Sequence, residues 1–242
     1  MKELQIPALR DEGRFANRLI HYMVGRHLAE AWDVRLATHP WIGECLFDLN
    51  DSHVERPVPY LPFAEIEKGF WGPTALPPFF AIPHRIVDPL FNRQFVQKLF
   101  KWRAFYEEKR GRVQSHKAVI HVRRGDFCSL PDFPVVPVHT LLDNAEQHGF
   151  SVSECILVRE ESPLNTGLFP WPFEFLEDFF TLMQADNIFV YPRSSFSQLA
   201  ALMGNGNIYM PYDYSTDPAR TRFVLHEGTD PVVFPTRNNG LT

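Results

Sequence analysis

The chain has 242 residues, 45% of them hydrophobic and 22% charged, with 22 Phe and 21 Pro. These proportions are globular and exclude a disordered or collagen-like chain; the length allows one large domain or two compact ones. The formal net charge of −5 has the wrong sign for a free-standing nucleic-acid binder but leaves room for a local basic pocket that takes a small anion.

Apolar residues recur at helical spacing from Asn17 to Trp32, through Leu19, Ile20, Met23, Val24, Leu28 and Ala31, which predicts a first helix. From residue 33 to 110 prolines and aromatics punctuate the chain, and Pro57, Pro59, Pro62, Pro73, Pro77, Pro78 and Pro83 break up any long element. Asp88 to Arg110 then reads as one helix, with Phe91, Phe95, Leu99, Trp102 and Phe105 on its apolar side. At Lys117 the pattern changes. Short apolar runs at 118–122, 155–158, 187–191 and 207–210 alternate with helical stretches at 138–148, 173–184 and 194–203. Gly149 and Gly204 stand where the first and last of those helices stop. Strands of four to five residues alternating with helices predict βαβ units on a parallel sheet. The expected domains are 1–115, α/β with a proline-rich middle, and 116–242, Rossmann-like, its last residues packing back on the first.

Cys45, Cys128 and Cys155 are too few and too scattered for a disulfide framework or a zinc site, and an odd count fits a reducing, cytoplasmic compartment. The N-terminus has no apolar signal core, and no run approaches the roughly 18 apolar residues that span a bilayer. The expected chain is soluble.

Open parallel sheets bind ligands beyond the carboxyl ends of their strands. Arg123-Arg124-Gly125-Asp126 directly follows the 118–122 strand. A guanidinium fork suits phosphate, while the same residues also read as a structural Arg–Asp pair closing a strand. Pro192-Arg193-Ser194-Ser195-Phe196-Ser197 lies between the 187–191 strand and the next helix. A helix start rich in hydroxyls attracts anions, and equally serves as an ordinary Ser cap. Both segments fall on one predicted sheet edge, and together they suit a diphosphate. A third segment, Glu12-Gly13-Arg14-Phe15-Ala16-Asn17-Arg18, is a glycine turn that brings Asn and Arg to a helix start. No Asp-x-Asp, P-loop, HExxH or GxSxG is present, and His21, His27, His139 and His148 lack ligand spacing, so no metal site is expected.

These three segments, in this order, resemble the GDP-fucose-dependent fucosyltransferase superfamily, which includes α-1,2- and α-1,6-fucosyltransferases and protein O-fucosyltransferases. Gly13 to Arg18 is similar to the family's G-x-x-[GN]-[NQ] segment, and closest to the GRFGNQ of protein O-fucosyltransferases. His121-Val122-Arg123-Arg124-Gly125-Asp126 matches H-x-R-R-G-D in full. Asp178 to Met183, followed by Ser194-Ser195-Phe196-Ser197, is similar to D-x-x-x-[LM]-M and S-S-F-S at the family's spacing.

The resemblance implies a GT-B-like fold, two Rossmann-like domains facing across a cleft, and metal-independent, inverting transfer of fucose to a glycan or protein hydroxyl, with no cofactor besides the donor. It gives Arg123 the diphosphate and the charge on departing GDP, with Asp126 orienting the two arginines. Ser194, Ser195 and Phe196 would supply donors to phosphate, with Arg124 beside them. Asp178 would accept from guanine or ribose, His121 would line the nucleotide site, and Asn17 would reach the diphosphate or acceptor. Glu12 is the candidate base, because some protein O-fucosyltransferases carry Glu before this turn; Asp126 is the second. This sequence departs from the pattern at Ala16 and Arg18, at Arg159-Glu160-Glu161 where relatives often carry Ser/Thr-Asp-Asp, and at Gln198 and Leu199 where α-1,2 relatives often carry two Trp. The alternatives are a transferase of another nucleotide sugar, a non-catalytic nucleotide- or sugar-binding remnant of the fold, and a purely structural α/β domain.

Overall fold

The computed structural model describes residues 3–9, 14–60, 62–66, 73–78, 81–124, 135–159, 173–212, 219 and 221–226. The chain divides into two compact units, Met1–Tyr106 and Glu107–Thr242.

In the first unit β1 (Glu3–Ile6) runs through a 3-10 turn (Pro7–Leu9) toward α1 (Phe15–Ala31). Then come β2 (Arg35–Thr38), α2 (Ile42–Leu46), β3 (Ser52–His53), α3 (Phe63–Ile66) and β4 (Thr74–Ala75). The strands form a parallel sheet in the order β3-β2-β1-β4. The apolar stripe of α1 is spent on this sheet, with Leu19, Ile20, Met23 and Val24 buried as Leu4, Ile6 and Leu36 are.

The expected helix over 88–110 is instead three pieces: α4 (His84–Val87) continuing into a 3-10 turn at Asp88–Leu90, then α5 (Arg93–Leu99) and α6 (Ala104–Arg110). Its interruption has a tertiary cause. Trp102 forms an antiparallel bridge with Phe47, Asp48 N–H donates to Lys101 O (2.9 Å) and Arg103 N–H to Leu46 O (2.9 Å). The Phe47 ring sits 4.4 Å from Trp102 and 5.0 Å from Phe100, centroid to centroid. Extending residues 100–103 wins a cluster of aromatic contacts that a continuous helix would forfeit.

The second unit follows the sequence reading closely. It contains β5 (Ala118–Val122), α7 (Val138–Gln147), β6 (Cys155–Arg159), α8 (Phe175–Met183), β7 (Asn187–Phe189), α9 (Ser195–Met203), β8 (Asn207–Tyr212) and β9 (Arg222–His226). The sheet order is β6-β5-β7-β8-β9, parallel except for the antiparallel β8–β9 pair. Ala118, Ile120 and Val122 share one face with Leu141 and Ala145 of α7 and with Phe189 and Tyr209. By the two-residue period of a strand, Val119 and His121 belong to the opposite face. Helix α8 packs against β5, β6 and α9.

Two glycines answer to backbone demands. Gly149 closes α7 at φ +85, a left-handed position that suits a residue without Cβ. Gly204 ends α9 where a Cβ would come within 2.2 Å of the Met183 carbonyl oxygen, so α8 and α9 meet only because that atom is missing.

Candidate nucleotide site

The connections of the second sheet fix where a ligand belongs. From β5 the chain moves to β6 on one side; from β7 it moves to β8 on the other. The order therefore reverses between β5 and β7, and in open α/β sheets the ligand crevice lies outside the carboxyl ends at that switch point. Val119 pairs with Ile188 and Ile120 with Phe189, so the two strand ends lie side by side, about 4.8 Å apart. The loop after β5 starts with Arg123-Arg124. The loop after β7 is Val190 to Ser194, leading into α9. The two segments read from sequence thus follow neighbouring strand ends, on either side of the switch point of this sheet.

His121, on β5, is buried at 3% exposure. Its ring meets Phe196 at 5.8 Å and Tyr191, edge-on, at 6.1 Å, and Phe196 in turn meets Phe179 of α8 at 5.1 Å. Burial, and then the nearby Arg123 charge, push its imidazole down to about 3. It stays neutral at any ordinary pH. A histidine that cannot be protonated serves as a wall and a hydrogen-bonding group, not as a proton carrier. Nδ1 is buried and has no hydrogen-bond partner among the described residues.

Arg123 is half-buried at the strand end, and Arg124 Nη1 donates to the carbonyl of Val136 (3.0 Å). The turn into α9 is built by local chemistry. Ser194 N–H donates to Tyr191 O (3.1 Å), Pro192 takes the second position and Arg193 the third, at φ +58. That is the pattern of a type II turn, in which the third position normally belongs to glycine. Ser194 is buried and its side chain makes no cap to the first turn of α9, which leaves the bracing to Ser197. Ser197 Oγ accepts from Tyr191 N–H (3.2 Å) and donates to Ser194 O (3.3 Å).

Of the residues expected from sequence, His121, Arg123, Arg124, Ser194, Ser195 and Phe196 cluster around the switch point. Asp178 is buried in the first turn of α8, next to Phe179. Asn17 is half-buried in the first turn of α1, in the other unit. Glu12 and Asp126 lie outside the described residues. Tyr191 and Ser197 were not picked as site residues. Ser197 stands three residues after the helix cap, where side chains reach back to a cap, and that spacing was a usable signal. The Tyr191 hydroxyl makes a non-local contact, accepting from Val136 N–H, that no periodicity reveals.

No family model and no curated protein matches this sequence. Solved structures do. Fucosyltransferase NodZ from Bradyrhizobium superposes with a TM-score of 0.60 at 11% identity, over 94% of this chain and 100% of that one. NodZ α-1,6-fucosyltransferase soaked with GDP-fucose gives 0.59 at 12% identity, again over 94% and 100%. The same enzyme co-crystallized with GDP gives 0.56 at 14% identity, over 93% and 99%. The chain has the GT-B-like α/β fold of these fucosyltransferases. Identity this low makes the likeness one of fold; the chemistry has to be argued from the side chains. No described helix is long and apolar enough to cross a membrane. Among the described residues no group of three His, Cys, Asp or Glu side chains is placed to hold a metal ion.

Proposed function

We propose that this chain is a glycosyltransferase that takes a GDP-sugar, with GDP-fucose as the donor, and transfers the sugar to a glycan or protein hydroxyl. The observation that carries this reading is that β5, which leads into Arg123, and β7, which leads into the Ser194–Phe196 helix start, are parallel neighbours at the switch point, with His121 and Phe196 in ring contact. The fold is one whose solved examples include a fucosyltransferase soaked with GDP-fucose.

The chemistry follows from charge. As the bond between the sugar's anomeric carbon and the phosphate oxygen breaks, negative charge accumulates on departing GDP. Arg123 supplies a permanent cation at the strand end, and the nine-residue helix α9 directs the positive end of its dipole to the same crevice. Donors fixed in advance where charge develops lower the barrier without reorganising. We assign this role to the protein's own cation and donors, with no metal, and we assign inversion through a single displacement. The acceptor oxygen attacks from the face opposite the leaving phosphate, and its proton passes to a carboxylate. Glu12 is the base we propose, with Asp126 orienting the arginines. His121 is unsuited to that task, since burial holds it neutral and unable to keep a proton. Phe196 and His121 offer flat apolar walls, and Asp178 an acceptor for guanine or ribose. The thiols of Cys45 and Cys155, both free, fit work in the reducing cytoplasm.

A second reading, transfer from another nucleotide sugar, draws support from the exposed Arg159 at the end of β6, where relatives often carry a hydroxyl and acids. A thermal-shift panel of nucleoside diphosphates and nucleotide sugars tests both. GDP and GDP-fucose are expected to raise the melting temperature, and Arg123→Ala to abolish the shift. A larger shift from a different nucleotide selects the second reading, and no shift from any of them overturns both. GDP-fucose turnover with EDTA present is expected to equal that without it; strict dependence on a divalent ion overturns the metal-free mechanism.

A further inference from the structure

Arg123 and the start of α9 follow different strands, and an anion gripped by both needs them in fixed register. One unbroken run of hydrogen bonds joins the two loops. Arg124 Nη1 donates to Val136 O (3.0 Å), and Val136 N–H donates to the Tyr191 hydroxyl (2.8 Å). Tyr191 N–H donates to Ser197 Oγ (3.2 Å), whose hydroxyl donates to Ser194 O (3.3 Å). Ser194 N–H returns to Tyr191 O (3.1 Å). Val136, Tyr191 and Ser197 are all 0% exposed. In such surroundings each bond is strong, and each one broken leaves a buried polar group stranded. The Tyr191 ring also abuts His121, so the same residue touches the wall of the site. A tyrosine kept only to fill the core would do no more than phenylalanine, whereas this one spends its hydroxyl on the backbone leading into α7.

We propose that Tyr191 is the positioning residue of this site: its hydroxyl on Val136 and its N–H on Ser197 lock the Arg123–Arg124 strand end to the Ser194–Phe196 helix start, and affinity for a nucleoside diphosphate depends on that lock. Arg124 holds the far end of it. The inference rests on the GDP-sugar reading and adds to it a residue that never touches the ligand.

Titration calorimetry on the full chain, with GDP and separately with inorganic pyrophosphate, tests it. Tyr191→Phe, which removes one oxygen atom, is expected to weaken GDP about tenfold, and Ser197→Ala by a similar factor. Tyr209→Phe, a buried tyrosine of the same core that belongs to no part of the lock, is the control and is expected to keep the parent affinity. A Tyr191→Phe protein that melts earlier yet binds GDP as the parent does overturns the proposal, since the hydroxyl then serves stability alone. Where Tyr191→Phe does not fold, the Kd of Ser197→Ala decides in the same sense. A parent chain that binds neither GDP nor pyrophosphate sinks the GDP-sugar reading itself, a failure visible before any variant is made.

Discussion

His121 and Phe196 stand 5.8 Å apart between ring centroids, one on the interior strand β5 and the other in the first turn of α9. The sheet order makes this contact possible, because β5 and β7 are neighbours and α9 is the helix that follows β7. The contact also excludes water from the imidazole, and that has a measurable consequence.

In the folded chain His121 is held down to about 3 and His21, buried in α1, to about 4, against 6.5 for both in a solvated state; the main cause at each is burial. Above pH 6.5 both states of the chain carry these rings neutral, and nothing is lost. Below it the unfolded chain takes up protons that the folded chain refuses, so stability falls as pH falls from 6.5 toward 4. Each histidine contributes about 1.4 kcal/mol per pH unit well inside that window. Urea titrations at pH 7.5, 6 and 5 are expected to show a steadily falling midpoint, with a shallower fall in His121→Gln. A midpoint that holds level or rises on acidification contradicts the assignment. NMR gives a direct check, since the His121 Cε1 proton is expected not to shift between pH 7.5 and 5.

Three glycines separate crowding from backbone conformation. Gly204→Ala drives a methyl into the Met183 carbonyl and is expected to cost about 1–3 kcal/mol. Gly149→Ala has open space but must hold φ +85, for about 1 kcal/mol. Gly111→Ala, whose Cβ would lie an ordinary 3.4 Å from Glu108 O with no left-handed backbone, is expected to be neutral. Thermal melts of the three variants should rank in that order.

The second unit was legible because its strands are short apolar runs, each followed by a helix with a clear stop. β1 was not. It reads Glu-Leu-Gln-Ile, and polar residues on a central strand argue against burial. In the structure Gln5 is buried and satisfied, donating to Glu3 Oε1 (2.8 Å) and Arg56 O (2.9 Å) and accepting from Val58 N–H (3.2 Å). Those partners sit 51 and 53 residues away or on the same strand, and no local pattern announces them. The false helix over 88–110 failed for the same reason in reverse: its periodicity was real, and Phe47 overrode it. At the site, the arginine and serine segments could be read because each carries its own chemistry beside a strand. Tyr191 could not, because its role exists only once β5 and β7 are neighbours.

β9, not predicted from sequence, pairs with β8 and is tied to α7 by a buried amide. Asn144 of α7 donates to Thr221 O (2.9 Å) and to Thr140 O (2.7 Å), and accepts from Phe223 N–H (3.3 Å). His148 donates from Nε2 to Phe223 O (3.0 Å). Asn144→Leu keeps the volume but strands the Phe223 N–H of β9 and the Thr221 carbonyl just before it, for about 2–3 kcal/mol. Hydrogen exchange locates the damage. Phe223 is expected to lose protection far more than Ile120 on the interior strand β5; equal loss at both would show that Asn144 supports the whole unit and not the edge.

Arg193 is the site's one strained backbone position among the described residues. Its φ of +58 places it in the left-handed region, at the third position of the Tyr191–Ser194 turn, where a side chain costs about 1 kcal/mol relative to glycine. Pro192 and the Ser194-to-Tyr191 hydrogen bond hold the turn shut, so the strain is not relieved by opening it. Arg193→Gly should therefore match or exceed the parent in stability despite losing a long side chain, while Arg193→Val, branched at Cβ, should fall below it by about 1–2 kcal/mol. Melting curves for the pair give the answer. If glycine proves no better tolerated than valine, the turn does not hold the left-handed conformation in solution, and the geometry on which the start of α9 depends is wrong.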